Sequence, residues 1–344
     1  MIDLLQTLDP SPDLHRVSAD PGIAWSGSAS VAIDAPPDDA ADNSPDATWS
    51  TDAVRTGRCG AVTPRVVRLP DATYRMYYTQ ILPRAGHPEG ALDYGNATTR
   101  ILSARSEDGW TWTPEPGVRL SAAEGGAGSF RVVVTDVVPV TDGRQRMYYE
   151  CAPGPQSEPS TIRSAVSEDG MTWTVEQGDR FGGSESNFAS ARVTFLDDGR
   201  LRLYLLERGT GIISAISEDG SAFGREPGVR IDQSGPYDGT VAFAPEVVIL
   251  PSGERAMYYA GYASASRAFI LHATSPDGLT WHKADDPVLT PGGRWDGAKC
   301  SEMCLFPLRE GIDEYRYGMA YEACDGSARD ERGVWRILNA QPAS

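Results

Sequence analysis

The sequence is short of positive charge, of histidine and cysteine, and of long apolar runs. Its 31 Lys and Arg face 48 Asp and Glu, a net charge of −17. This balance disfavours a nucleic-acid partner, because phosphates would be repelled over most of the surface. No stretch approaches about 18 apolar residues, and the first residues lack the basic start and apolar run of a signal peptide. We therefore expect no membrane partner and a cytoplasmic location.

Cysteine and histidine show no spacing typical of a metal centre. The five cysteines are irregularly spaced and odd in number, which favours reduced, buried thiols over a disulfide framework. Cys300, Cys304 and Cys324 lack a C-x-x-C pair or a partner histidine, and no spacing among the four histidines suggests zinc. A phosphate-binding glycine loop and a dinucleotide fingerprint are also missing. We predict no cofactor and no metal, and leave only a calcium ion in a central channel open.

What the sequence does contain is a repeat of about the size of a propeller blade. The 36 glycines and 25 prolines suit short strands joined by tight turns. A segment with Asp-Gly followed by an aromatic residue occurs four times, at intervals of 50 to 61 residues, a period typical of propellers or solenoids. The copies are SEDGWTW at 106–112, SEDGMTW at 167–173, SEDGSAF at 217–223 and SPDGLTW at 275–281.

Three apolar, alternating runs precede each copy, so each repeat is predicted to hold four antiparallel strands, a to d. A fifth repeat holds only strands a to c, ending in GVWRILNA, before the chain stops. We predict an all-β, five-bladed β-propeller forming a single domain over residues 1–344. The N-terminal region is predicted to supply the missing outer strand and close the ring. Residues 27–48, rich in Ala, Asp and Pro, are predicted to form an exposed loop.

The register of the repeat predicts a ring of charged residues. In four repeats, counting back twelve residues from the aligned strand-b tyrosine leads to a charged residue in strand a. In the fifth repeat the apolar pattern places a glutamate at the same position. Because strands a line the channel, these side chains are predicted to converge, either as a ligand site or as a structural salt-bridge ring. The five are Arg65, Asp136, Arg192, Glu246 and Glu302.

Blade order assigns roles within this ring. Asp136 would lie between two arginines, so its pKa should fall and it would serve as a base or nucleophile. Glu246 and Glu302 would be neighbouring like charges, so one should keep its proton to higher pH; Glu302 is the predicted acid and Glu246 its modulator. Arg65 and Arg192 would hold substrate oxygens or an anionic group, and two arginines point to an anionic substrate.

Further substrate contacts are predicted in the connections entering blades 4 and 5. Asp238 follows a tyrosine and Asp296 follows Trp295, and an aromatic side chain beside a carboxylate suits a sugar ring and its hydroxyls. Ordinary turn chemistry explains the same Asp-Gly pairs equally well.

The stretch 237–306 resembles the five-bladed glycosidase superfamily of arabinanases, xylosidases, invertases, levansucrases and mannoside phosphorylases. APEV at 244–247 resembles its A-P-[DE]-V, which usually holds a pocket carboxylate, and SEM at 301–303 resembles the strand that carries the acid. The sequence departs from the superfamily in the first blade, where Thr63 precedes Pro64 in place of an aspartate. The resemblance implies a glycosidase-type enzyme.

We therefore predict a glycoside hydrolase-like enzyme acting on a small, sugar-containing substrate through channel carboxylates, with the two arginines favouring an anionic one. Two alternatives stay open. One is a non-hydrolytic lyase, isomerase or cyclase of a small anionic metabolite, favoured by Arg65 and by the missing blade 1 aspartate. The other is a sugar-binding propeller without catalysis.

Overall fold

The chain is built almost entirely of β-strands. Within the described residues the one helix is a short 3₁₀-helix, Pro12–His15, and no helix there is long and apolar enough to span a membrane. The computed structural model describes residues 11–34, 60–82, 98–126, 128–154, 158–183, 187–308, 317–327 and 333–343.

The longer strands of this described part form five successive units, each a meander of three antiparallel strands. Tight turns join the first and second strands of units 2, 3 and 4, and the glycine of each has a positive φ, as the sequence predicts. The units are β2 (Gly60–Arg68), β3 (Tyr74–Leu82) and β4 (Thr98–Ser106); β7 (Arg131–Pro139), β8 (Gln145–Ala152) and β9 (Thr161–Ser167); β11 (Phe188–Phe195), β12 (Leu201–Glu207) and β13 (Gly211–Ser217); β16 (Val241–Ile249), β17 (Arg255–Ser264) and β18 (Arg267–Ser275); β20 (Lys299–Pro307), β21 (Tyr317–Cys324) and β22 (Trp335–Pro342).

In units 1 to 4 the predicted fourth strand is short. Two-residue strands pair antiparallel with the third strand, directly after the Asp-Gly turn or a little further along the chain. They are β5 (Thr113–Pro114), β6 (Leu120–Ser121), β10 (Thr174–Val175), β14 (Gly224–Arg225), β15 (Ile231–Asp232) and β19 (His282–Lys283).

The fifth unit takes its outer strand from the N-terminal region, as predicted. Strand β1 (Trp25–Ile33) pairs antiparallel with β22. The predicted exposed loop over 27–48 is therefore wrong for residues 27–33, and Ile33 is buried. The Ala, Asp and Pro content of the segment hid the short alternating run within it. Residues 35–48 lie outside the described residues.

The N-terminal segment also supplies a fifth copy of the turn that joins neighbouring units. In unit 1 the hydroxyl of Tyr77 donates to the carbonyl of Gly170, which belongs to the Asp-Gly turn of unit 2 (2.9 Å). In unit 4 the hydroxyl of Tyr258 donates in the same way to Gly22 (2.6 Å). The indole of Trp25 donates to the carbonyl of Gly22 (3.1 Å). In unit 2 the turn tryptophan donates in the same way to the carbonyl of Gly170. The Gly-x-x-Trp sequence at 22–25 is thus a copy that the repeat search missed.

The first strands of the units lie side by side in the middle of the fold. Strand β7 contacts both β2 and β11, β16 contacts both β11 and β20, and β20 contacts β2. Aromatic and aliphatic side chains fill the spaces between successive units. Side chains that point away from these spaces and towards the other first strands are therefore brought together.

Candidate active site

Four of the five predicted ring residues occupy one equivalent position in their units. Each lies opposite the second-strand tyrosine from which the twelve-residue spacing was counted. The predicted register is therefore confirmed for units 1 to 4. The pairs are Arg65 with Tyr77, Asp136 with Tyr148, Arg192 with Tyr204, and Glu246 with Tyr258.

In unit 5 the predicted register is wrong. Cys304, opposite Ala320, occupies the position that carries a charge in the other units. Glu302 lies two residues earlier. The sequence was misleading because unit 5 has Ala320 where the other units have tyrosine, and its apolar residues fit either register.

Each first strand bends just before this position. The pairing of first and second strands is interrupted there by a bulge in every unit. In units 1, 3 and 4 one bulge residue has a left-handed backbone: Thr63 (φ 53°), Ser190 (φ 50°) and Ala244 (φ 51°). Such angles are uncommon for residues other than glycine. Glu302 holds the corresponding place in unit 5.

The five predicted side chains meet in one chain of ion pairs, here called the central network. Arg65 Nε lies 2.6 Å from Asp136 Oδ1, and Arg65 Nη1 lies 2.8 Å from Glu246 Oε2. Arg192 Nε lies 3.3 Å from Glu246 Oε2, and its Nη2 lies 3.0 Å from Glu302 Oε1. Both arginines are thus engaged by carboxylates of the protein, which leaves the pair poorly placed to receive an anionic substrate.

Asp136 is enclosed at one end of the central network. The residue has no accessible surface, and its two oxygens accept the backbone N–H groups of Val137 (2.8 Å) and Val193 (2.7 Å). Together with Arg65, these donors occupy the carboxylate completely enough to keep it from water and substrate. This geometry does not support the predicted role of base or nucleophile.

The 3₁₀-helix covers this end of the central network. The ring of His15 packs 5.7 Å from that of Phe195, the last residue of β11, and the backbone N–H of Val17 donates to Ile249 at the end of β16 (3.0 Å). Burial lowers the pKa of His15 to about 4, despite the opposing charge of Asp136. Its Nε2 is shielded from solvent and has no hydrogen-bond partner among the described residues.

Glu302 lies at the opposite end, nearer the starts of the first strands. Its second oxygen accepts the hydroxyl of Ser190 (3.1 Å). Burial raises the pKa of Glu302, against the lowering effect of Arg192. Repulsion from Glu150 also raises this pKa. Glu150 is a neighbour of Glu302 that the sequence did not lead us to expect.

A second glutamate of unit 5, Glu322, was missed by the sequence analysis. Its oxygens accept the hydroxyl of Ser301 (2.6 Å) and the backbone N–H of Thr63 (3.2 Å), and both donors are neutral. Burial, followed by repulsion from Glu302, raises the pKa of Glu322 to about 8. The available signal was a glutamate interrupting an apolar second strand, as Glu150 does in unit 2.

An aromatic pair lies beside Glu322. The rings of Phe243 and Tyr262 stack with centroids 5.5 Å apart and planes 25° apart, and both residues are half-buried. Burial raises the pKa of Tyr262, and repulsion from Glu322 adds to this effect. Two acids and a half-buried aromatic surface thus occupy the starting end of the first strands.

The structure does not bring the three other predicted substrate contacts into the central network. Asp238 is buried and accepts the N–H of Gly235 (2.7 Å) and the hydroxyl of Tyr259 (3.0 Å). Asp296 repeats this arrangement with the corresponding glycine and tyrosine of unit 5. Trp295 packs against two arginines, 4.2 and 4.6 Å from its ring. The turn interpretation explains these aspartates directly.

No metal centre is apparent in the described part of the chain: no group of three or more His, Cys, Asp or Glu side chains there could hold a metal ion. The four cysteines in that part are buried.

Comparison with known proteins identifies the fold. No family model and no curated protein match the sequence. A solved structure described as a glycoside hydrolase superposes with a TM-score of 0.68 at 15% identity, covering 86% of this chain and 91% of its own. An endo-arabinase from Bacteroides thetaiotaomicron gives a TM-score of 0.58 at 14% identity, with 87% and 98% covered.

The same fold serves another reaction on sugars. An N-acetylgalactosamine deacetylase from F. plautii, in complex with blood group B trisaccharide, gives a TM-score of 0.60 at 16% identity, covering 92% of this chain and 95% of its own. At such identities the likeness shows the fold alone. The chain has the all-β propeller fold of these glycoside hydrolases, as the sequence resemblance implied.

Proposed function

We propose that this protein is a glycoside hydrolase-like enzyme of small sugar-containing substrates, and that its five units are the blades of a closed ring. The order of contacts among the first strands supports the ring. The likeness of its fold to glycoside hydrolases supports the reaction class. The proposed site is the starting end of the first strands, where substrate would meet Glu302.

The observation that carries this proposal is that two buried glutamates at this end, Glu302 and Glu322, have raised pKa values. Glycoside hydrolysis needs a carboxylic acid that still holds its proton at working pH and can pass it to the leaving oxygen. Glu302 is buried at the end of the central network with a raised pKa. Glu246, held between two arginines, would fix the position of Arg192 and through it the orientation of Glu302.

The substrate is proposed to be neutral and not anionic. Arg65 and Arg192, the residues that suggested an anion, each pair with two carboxylates of the central network. An anionic group placed beside them would compete with carboxylates that are already desolvated and paired. The half-buried rings of Phe243 and Tyr262 suit the apolar face of a neutral sugar.

A panel of aryl glycosides tests the proposal directly. The parent protein should hydrolyse at least one member, and Glu302→Gln should lower kcat/KM by about 10²–10⁴-fold, the usual contribution of a general acid or base. Glu218→Gln, an exposed change in an Asp-Gly turn, should leave activity unchanged. A parent that binds sugars without turning over any glycoside would favour the sugar-binding alternative. Turnover of an acidic metabolite by elimination or isomerisation would favour the non-hydrolytic one.

A further inference from the structure

We propose that Glu322 is the proton donor of this site and that it shares one proton with Glu302. The inference rests on the proposed function, because it names the group that would deliver the proton. It shifts that role from Glu302, in the first strand of unit 5, to the neighbouring second strand.

The two glutamates differ in what they face. Glu302 lies against the guanidinium of Arg192, which favours its ionised form. Glu322 receives one hydroxyl and one backbone N–H and faces no cation in these contacts. When two carboxyl groups interact at close range and hold one proton, the proton resides on the group that has no cation beside it. Glu322 is therefore the protonated partner.

The groups around Glu322 come from three other strands. Besides Glu302, a cation lies in this region: Lys299 Nζ is 5.4 Å from the centroid of the Tyr262 ring. Ser301 and Glu302 belong to β20, Thr63 belongs to β2, and Tyr262 belongs to β17. This setting keeps the pKa of Glu322 at about 8. At neutral pH the pair would then present one acidic proton next to a carboxylate, as paired catalytic carboxyl groups do.

Of the two glutamates, Glu322 acts more strongly on the pKa of Tyr262, which belongs to a surface suited to sugar. Tyr262, whose pKa responds to Glu322, is one half of the half-buried aromatic pair with Phe243. A sugar ring packed on this pair would lie beside Glu322. Glu246 is locked between two arginines and Asp136 is enclosed, so neither can approach a substrate there.

The proposed step is balanced without a cofactor. Glu322 transfers its carboxyl proton to the glycosidic oxygen while the bond between that oxygen and the anomeric carbon breaks. The bonding electron pair stays on the leaving oxygen, which departs as a neutral alcohol, and Glu322 becomes a carboxylate. A water molecule adds its hydroxyl to the anomeric carbon and releases one proton, which restores the protonated pair.

Leaving-group dependence separates a proton donor from a structural residue. Glu322→Gln should lower kcat/KM by about 10²–10⁴-fold on an alkyl glycoside, whose leaving oxygen needs a proton. The same variant should retain most activity on a dinitrophenyl glycoside, whose leaving group departs as an anion. Its pH profile should also lose the fall in activity near pH 8 that the parent shows. Equal losses on both substrates, or the same selective loss in Glu302→Gln but not in Glu322→Gln, would overturn the assignment.

A second measurement keeps this inference separate from the proposed function. Carbon-13 NMR of glutamate-labelled protein should show one carboxyl group titrating near pH 8 in the parent and missing in Glu322→Gln. In Glu302→Gln that group should titrate at lower pH, because the neighbouring negative charge is gone. If the parent hydrolyses no glycoside, the proposed function fails while this titration still decides the shared proton. A Glu322 carboxyl group that titrates in the ordinary range overturns the pair.

Discussion

The two ends of the central network contain the same kind of group in different surroundings. At the enclosed end, Asp136 accepts two backbone N–H groups and pairs with Arg65 beneath the 3₁₀-helix. At the starting end, Glu322 accepts a hydroxyl and one backbone N–H and faces Glu302. Burial is similar at both ends. The charge of the neighbouring groups, a cation at Asp136 and a carboxylate at Glu322, therefore decides which carboxyl group suits structure and which suits proton transfer.

The comparison teaches that a buried carboxylate is not by itself a catalytic candidate. A carboxylate that is shut off from solvent, with buried donors on both oxygens, is out of reach of a substrate, and removing it leaves its donors without partners. A carboxyl group with few, neutral donors keeps its proton and remains free to give it away. The predictions below test this contrast at each end, beginning with the largest expected effect.

The enclosed end should fail first when its carboxylate is removed. Asp136→Ala leaves Arg65 Nε and two buried backbone N–H groups without their acceptor, so the free energy of unfolding should drop by about 3–5 kcal/mol. Urea unfolding followed by tryptophan fluorescence measures this free energy. The control is Asp142→Ala, which removes an exposed partner of Arg144 and should change the free energy of unfolding by less than about 0.5 kcal/mol.

A stable, folded Asp136→Ala protein that has lost only its activity would break the comparison. Asp136 would then be a catalytic group after all, and the donors around it would contribute little to stability. Circular dichroism on the same samples distinguishes this result from simple loss of folded protein.

The starting end should make the protein less stable as pH rises. The pKa of Glu322 is about 8 in the fold, against 4.5 for an ordinary glutamate. Between these values the unfolded chain binds fewer protons than the folded one, so the free energy of unfolding should fall with pH by about 1 kcal/mol per unit. Glu322→Gln should remove this slope. Free energies of unfolding measured from pH 5 to 8 in the parent and in Glu322→Gln test this dependence. An identical slope in the variant would contradict the raised pKa of Glu322.

The enclosed end should show the opposite dependence through His15. Its pKa is about 4 in the fold, against an ordinary 6.5. Between these values the unfolded chain binds more protons, so this contribution to stability is present above about pH 6.5 and is lost as the pH falls towards 4. His15→Phe, which keeps an aromatic ring beside Phe195, should flatten this acid limb in thermal melts. The exposed change His282→Gln should not, and if it does, the effect does not belong to the enclosed end.

Much of the fold could be predicted because its turns demand particular residues. Asp-Gly turns need a positive φ, and apolar alternation marks the strands, so the repeat was visible at 106–112 and its copies. The fifth copy, Gly22 to Trp25, lacks the Ser-x-Asp-Gly that the other four share. Its role follows from contacts with Tyr258 that are distant in sequence. The prediction of a single domain over 1–344 stays a prediction.

The central network was predictable where a tyrosine marks the register of the second strand and not where that tyrosine is replaced. The twelve-residue spacing located Arg65 and three partners because the second-strand tyrosine marks the register in units 1 to 4. In unit 5 that tyrosine is replaced, so Glu302 was assigned to the position that Cys304 holds. Glu322 was missed because the search followed first strands only, whereas a bulge brings a second-strand side chain to the same place.

The smallest expected effects distinguish the two glutamates of the starting end from each other. Ser301 donates to Glu322 and Ser190 donates to Glu302, and each hydroxyl lowers the pKa of its own carboxyl group. Losing a hydrogen bond of this kind costs about 1 kcal/mol. Ser301→Ala should therefore move the alkaline limb of activity to higher pH by less than one unit. Ser190→Ala raises the pKa of Glu302, so the two groups compete more evenly for one proton and the acid limb should move instead. If both variants moved the same limb, the pair would not divide its roles between an ionised Glu302 and a protonated Glu322.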